Sequence, residues 1–272
     1  MTPRGTARAA STSSPTSPVT ATPGPRLGDA EVERYSRQLI LAGVGEAGQA
    51  RLTAAWVLVI GAGALGSPVV QYLVAAGAGE VEVWDGDRVE SSNLARQPLH
   101  GEVDLGRWKA ESACAAAAAI NQAVRVTPVA RRLEASGMAA AVAGRTVVCD
   151  CSDDFATKFA LNDACVAAGV PLVHAAILEF GGQLCTVVPG GPCLRCLFGA
   201  PPAAGEIPTC AQAGILGPVA AVVGGMQAAE AMKLVLGLGH PLSGRLLVYD
   251  ALRPRARTID FPIDPACSAP HQ

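Results

Sequence analysis

Trp56-Val-Leu-Val-Ile-Gly61-Ala-Gly63-Ala-Leu-Gly66 is the stretch on which the fold turns. A short, largely β-branched apolar run leads straight into a glycine, the pattern of a parallel strand buried on both faces. The spacing Gly61-x-Gly63-x-x-Gly66 then opens a helix predicted over 65–76. In that context the first glycine permits a tight turn and the second lets backbone approach a ligand. The third lets helix and strand pack closely. Asp85 ends a second predicted strand, 80–85, nineteen residues beyond Gly66, where a carboxylate can accept hydrogen bonds from ribose hydroxyls. The loop says nucleotide, but by itself it suits NAD, FAD, S-adenosylmethionine or ATP equally.

Outward from this stretch the chain alternates. Residues 30–55 read as helical on Tyr35, Leu39, Ile40 and Leu52, and 109–121 as an alanine-rich helix. Strands are predicted at 124–129, 146–151 and 171–175, with helices at 136–143 and 155–168 between them. Such alternation predicts right-handed crossovers and an α/β, doubly wound Rossmann-like sheet. Beyond 175 the pattern changes. Residues 183–188, 245–250 and 256–261 read as strands of a C-terminal antiparallel extension, making the sheet mixed, and 215–236 as a long helix. No linker interrupts residues 29–272, which are expected to form a single domain. Residues 1–28, rich in Ser, Thr and Pro, are expected to be a disordered tail, since they cannot bury enough apolar surface to offset ordering. A targeting peptide is the alternative, and the prolines argue against its amphipathic helix.

With 272 residues, half of them hydrophobic, the chain has ample material for one α/β core. A net charge of −2 offers no field for nucleic acid. The most apolar stretch, 215–229, runs into Glu230 and Lys233 and reads as a buried helix rather than a membrane span. Nine cysteines without an export signal indicate a cytoplasmic protein. Cys114, Cys149, Cys151, Cys165 and Cys185 lie in apolar strand-like or helical context and are expected in the core. His100, His174 and His240 have no ligand partners at useful spacing; the first two are expected to be structural and the third solvent-facing.

Where a simple dinucleotide fold proceeds to its next helix, this chain places Asn93, Arg96, Gln97 and Lys109. All are donors suited to phosphate oxygens, Arg as a fork and Lys as a point charge. With Arg34-Tyr35-Ser36-Arg37-Gln38, Asp85-Gly86-Asp87, Ser92-Asn93-Leu94-Ala95-Arg96-Gln97, Gly106-Arg107-Trp108-Lys109, Asp150-Cys151-Ser152-Asp153, Cys193-Leu194-Arg195-Cys196 and Ala213-Gly214-Ile215-Leu216-Gly217-Pro218, the chain resembles the ThiF/MoeB/HesA family of adenylyltransferases, relatives of ubiquitin-activating enzymes. The resemblance runs from about Ala30 to Cys267.

It implies that residues 29–272 are an adenylation domain. Such a domain binds ATP with Mg2+ and adenylates the C-terminal glycine carboxylate of a ubiquitin-fold sulfur-carrier protein ending in Gly-Gly. The carriers feed molybdopterin, thiamine or related sulfur transfer. By resemblance Gly61, Gly63, Gly66, Asp85 and Asp87 belong to the nucleotide site. Asn93, Arg96, Gln97 and Lys109 hold phosphates, and Asp153 holds magnesium. Arg37 reaches the phosphates of the partner subunit in a homodimer. A carboxylate nucleophile needs no base, only neutralised phosphates and an aligned attack. One departure is Asp153-Asp154, where the family commonly has Asp-Asn; the second carboxylate would either strengthen metal binding or disfavour an anionic substrate. No rhodanese-like domain follows Cys267, so a separate sulfur donor is expected.

Cys193 and Cys196, read as loop residues, have metal-ligand spacing. The family pairs such a knuckle with a second one to hold Zn2+. Here that second knuckle is Cys267-Ser268-Ala269-Pro270-His271, which leaves Cys267 and His271 as the remaining ligands, or else a zinc site lost to free thiols or a disulfide. Cys210 precedes a predicted helix, whose N-terminus favours thiolate. It is either a nucleophile that captures the activated carrier or an idle loop thiol. Three other readings stand beside the first: adenylation of a peptide or modified RNA, a non-catalytic nucleotide-binding scaffold, and a hydride-transfer enzyme. The last leaves the phosphate donors unexplained.

Overall fold

The computed structural model describes residues 27–203, 206 and 213–271. In it β1 (Trp56–Ile60) is flanked by β2 (Glu80–Trp84) and β4 (Val147–Asp150). With β3 (Arg125–Val129), β5 (Leu172–Leu178), β6 (Gly181–Val187), β7 (Arg245–Asp250) and β8 (Arg255–Asp260), the described strands form one sheet ordered β3-β2-β1-β4-β5-β6-β7-β8. The first five are parallel and the last three pair antiparallel, as the sequence predicted.

Successive side chains of a strand point to opposite faces, and β1 feeds two cores accordingly. Val57 and Val59 join the buried cluster beneath α3 (Gly66–Ala75) and α5 (Lys109–Ile120), while Leu58 and Ile60 join the one beneath α6 (Ala135–Val142) and α7 (Phe155–Ala168). Burial on both faces is why this strand shows no polar alternation.

The long N-terminal helix predicted over 30–55 is two helices, α1 (Asp29–Leu39) and α2 (Gly45–Thr53). Between them Gly43 takes φ +85°, and a Cβ there would lie 2.8 Å from Leu238 Cδ2, so chain reversal and close packing end the first helix. Two short helices missing from the sequence reading, α4 (Ser91–Leu94) and α8 (Leu194–Phe198), each lie next to candidate site residues. The last helix, α9 (Gly217–Leu236), is long and apolar enough by composition to cross a membrane. Its polar residues belong to the protein interior instead. Gln227 donates to the carbonyls of Asp150 and Val173, and Glu230 accepts from Thr186 and the Leu242 N–H. A core helix is the reading these bonds support.

Cys149, Cys151, Cys165 and Cys185 are buried as expected, whereas Cys114 is half-buried on α5. There its thiol donates to the Val126 carbonyl at the sheet margin.

Candidate active site

Ile60 pairs with Trp84 on one side and Asp150 on the other, so the chain leaves β1 where the strand order reverses. Open α/β sheets bind ligands in the crevice at such a point. Gly61 takes φ +97°, and a Cβ on it would sit 2.6 Å from the Cys151 carbonyl oxygen. A Cβ on Gly66 would lie 2.0 Å from the Gly61 oxygen. The loop is therefore clamped between β4 and the start of α3. Around Gly63 only Gln97 Nε2 comes within 4 Å of such an added carbon, which places the Gln97 amide at the edge of the loop's open side.

Both oxygens of Asp85 are held by backbone. Oδ2 accepts from the Ala62 N–H at 2.8 Å and Oδ1 from the Asp87 N–H at 2.8 Å. Burial pushes its carboxyl up, against the pull of the Asp87 N–H and the Lys109 charge. Asp87 is bracketed by two cations, with Lys109 Nζ 3.2 Å from Oδ2 and Arg132 Nη2 3.0 Å from Oδ1. Burial opposes its ionisation, yet the Arg132 hydrogen bond and the Lys109 charge hold its carboxyl below the usual range. Lys109, the first residue of α5, has a side chain only 9% exposed.

α4 and the residues just after it carry the other donors, Asn93 within the helix and Arg96 and Gln97 beyond its end. The Asn93 Oδ1 accepts the Glu90 N–H in a capping interaction, and the half-buried Arg96 donates from Nη1 to the Ser92 carbonyl in an exposed hydrogen bond. Gln97 is buried and its Oε1 has no partner among the described residues, the kind of orphaned group a bound hydroxyl or water satisfies. His100 is structural, as expected. Its ring bridges the Ala62 carbonyl and Ser112 Oγ at 2.8 Å each, and burial lowers its pKa.

Across the crevice Asp153 is exposed and forms no hydrogen bond among the described residues. Asp154, the departure noted in the sequence, caps α7 by accepting the Thr157 N–H at 2.7 Å. Asn and Asp serve equally as such caps, which accounts for the exchange by helix stability, without a role for the second charge. Beneath them Asp150 is fully buried, paired with Lys158 and hydrogen-bonded to His174 Nδ1 at 2.7 Å. Burial alone would raise its carboxyl, but the Lys158 charge and the His174 bond hold it well below the ordinary range. A depressed carboxylate contributes stability above its unfolded pKa of about 4, and that contribution is lost as pH falls below it. Melting temperature should therefore fall below about pH 4, and more shallowly in Asp150→Asn; parallel profiles would refute the assignment.

Cys193, Cys196, Cys267 and His271 come together at the base of α8, their ligand atoms all within 4.8 Å of one another. The two cysteines read as loop residues in fact cap and lie within α8, and Cys193 is buried. Bonds of ~2.3 Å to a tetrahedral zinc separate sulfurs by about 3.8 Å. Cys193 Sγ is 3.8 Å from Cys267 Sγ and 4.0 Å from Cys196 Sγ. His271 Nδ1 lies 3.0 Å from the Gly191 carbonyl, while Nε2 lies 3.3 Å from Cys196 Sγ. Donation from Nδ1 fixes the tautomer that leaves Nε2 for a metal.

Arg37 is not part of this assembly. Next to it Gln38 is bonded to the Ala76 carbonyl and to Gln49, at the end of α3 remote from Gly66. α3 has ten residues, and a helix of that length spans ~15 Å. Arg37 itself is exposed. Cys210 lies outside the described residues. Arg132 and Lys158 were not singled out by the sequence, Asp150 and Ser152 entered it only as part of a motif and His174 only as a structural histidine; their meaning comes from pairing across elements.

The ThiF family model matches residues 35–269. The chain belongs to the ThiF family. Among ThiF relatives it is 49% identical to the SAMP-activating enzyme E1 of Haloferax volcanii, over 87% of this chain and 88% of that protein. It is 47% identical to the sulfur carrier protein adenylyltransferase of Thermus thermophilus, over 87% and 90%. Against the adenylyltransferase and sulfurtransferase MOCS3 of Bos taurus, 49% identical over 87% of this chain, it spans about half the length of the relative (52%). The ThiF fold here also superposes on Escherichia coli MccB crystallised with ATP, with a TM-score of 0.77 at 23% identity over 87% of this chain and 74% of that one. That likeness is one of fold.

Proposed function

We propose that this ThiF-family chain is an ATP-dependent adenylyltransferase. Its substrate is the C-terminal glycine carboxylate of a ubiquitin-fold sulfur carrier. One carboxylate oxygen attacks the α-phosphorus of ATP, an acyl-adenylate forms, and pyrophosphate leaves. The observation that carries this reading is the nearly buried Lys109 ammonium paired with Asp87, whose N–H is held by the same Asp85 carboxylate that accepts the Ala62 N–H of the glycine loop, with Asn93 in α4, Arg96 in the turn after it and Gln97 at the loop's open side. A dinucleotide carrier has no need of so many phosphate donors, whereas transfer chemistry needs stabilisation where charge develops. The names of the Haloferax and Thermus relatives support the substrate class.

In this reading Asp85 holds the ribose and Asp153 holds magnesium, which supplies charge neutralisation at the phosphates when bound. Among the described residues Gln97 Oε1 has no partner, which leaves it open to a ribose hydroxyl, and the Asp153 carboxylate forms no hydrogen bond though the Arg132 charge acts on it. Residues 29–272 act as one adenylation domain on the continuous sheet, and the Cys193, Cys196, Cys267 and His271 set holds a structural zinc ion. The chain works in the cytoplasm without nucleic acid. Arg37, too far from its own loop, serves the site of a partner subunit in a homodimer.

The test is exchange of labelled pyrophosphate into ATP, dependent on a Gly-Gly-ending carrier. Arg37→Ala and Lys109→Ala should each be nearly inactive. Mixed and allowed to re-equilibrate, they should recover about a quarter of wild-type activity, since half the dimers are hybrids and each hybrid holds one intact site of two. No exchange with any such carrier removes the proposal. Exchange without complementation removes only the shared site.

A further inference from the structure

The proposed chemistry makes no use of Asp150, although three elements besides its own strand converge on it. Its Oδ1 accepts both the N–H (3.1 Å) and the hydroxyl (2.6 Å) of Ser152. Its Oδ2 faces His174 Nδ1 from β5 at 2.7 Å and Lys158 Nζ from α7 at 3.2 Å. Lys158 in turn donates to the Ala175 carbonyl at 2.9 Å, and Gln227 of α9 donates to the Asp150 carbonyl at 2.8 Å. Asp150, Lys158 and His174 are all buried.

As a device for stability this is a poor one. Removing charges from water costs several kcal/mol per ion, and well-packed apolar residues often serve a core as well or better. What the cluster does achieve is local. Asp153 lies between Ser152, fixed by Asp150, and Asp154, fixed as the cap of α7. Lys158, one turn further along α7, ties that helix back to the same carboxylate. Both peptides flanking Asp153 are thus referred to one buried anion, while the Asp153 side chain itself is exposed and forms no hydrogen bond among the described residues.

We infer that Asp150, backed by Lys158 and His174, is a positioning residue that sets the Ser152–Asp153 segment so that the Asp153 carboxylate meets the divalent cation of the bound nucleotide. This rests on the reading of Asp153 as the magnesium-holding residue.

Ser152→Ala and His174→Gln test it, because both leave the Asp150–Lys158 pair in place. The probe is Mn2+ binding in the presence of a non-hydrolysable ATP analogue, followed by electron paramagnetic resonance. Each variant should bind Mn2+ about 10-fold more weakly, the scale of loss when a partner behind a metal ligand is removed. KM for ATP at saturating Mg2+ should stay close to wild type, and Ser152→Thr, which keeps the hydroxyl, should restore Mn2+ affinity. Wild-type Mn2+ affinity in both variants, with Asp153→Ala impaired, overturns the positioning role alone. Wild-type Mn2+ affinity in Asp153→Ala overturns the role assigned to Asp153, and the positioning role with it.

Discussion

Arg96→Ala is expected to lower carrier-dependent pyrophosphate exchange by about 10²–10³-fold while leaving the melting temperature unchanged. The scale is that of removing one donor aimed at charge developing in a transition state. The clean separation of activity from stability comes from the geometry. Arg96 lies on a turn and is half-buried, and among the described residues its one hydrogen bond is an exposed one to the Ser92 carbonyl four residues back. Surface substitutions of this kind stay within about 0.5 kcal/mol. Lys109→Ala would confuse the two effects, because that side chain is nearly buried against Asp87. Arg96→Lys should recover only part of the lost rate, since a point charge does not replace a planar fork. Full activity in Arg96→Ala would mean that the turn after α4 does not face the phosphates.

Removing metal should cost the fold more than any single surface change. Chelation of the protein as purified, or Cys196→Ala, is expected to lower the melting temperature by about 10 °C. Structural zinc contributes folding free energy directly, ~10 kcal/mol or more in small peptides. Here the sheet has a large core of its own, so a loss nearer ~4 kcal/mol is expected, at ~2–4 °C per kcal/mol for a chain of this size. The effect has a route into the core: Cys193 is buried and begins α8, where the Leu194 N–H is bonded to the buried Asn162 of α7 at 2.9 Å. His271→Ala should bind zinc more weakly and fall between wild type and Cys196→Ala. A purified protein without zinc, whose melting is indifferent to chelator, would refute the assignment.

Much of this architecture was legible in the chain because its signals are local. A strand buried on both faces announces itself as an unbroken apolar run, and a glycine that would strike a carbonyl cannot be anything else, as at Gly66. Cys193-x-x-Cys196 has its meaning in its spacing. The break at Gly43 was missed because a glycine inside a helical pattern is tolerated unless something beyond it demands the turn, and here that is Leu238. The role of Asp154 was left open because a carboxylate near a metal residue invites an electrostatic explanation, and only the Thr157 N–H shows it to be a cap.

The sequence by itself determined the succession of strands and of the longer helices after α2, the glycine turn between β1 and α3 and the metal-ligand spacing of Cys193 and Cys196, all of which depend on neighbours within one or two elements. The tertiary structure decided what depends on distance between remote parts of the chain. It showed that Arg37 stands at the far end of α3 from the loop, that Arg132 shares Asp87 with Lys109, and that His271 brings Nε2 to the thiols. It also showed that a buried carboxylate at the end of β4 collects α7, β5 and α9 around the Asp153 segment. Residue type and spacing specify what a group can do. Only the packing of the sheet with its helices specifies which groups meet, because charges and hydrogen bonds act over a few ångströms and the chain separates these partners by tens of residues.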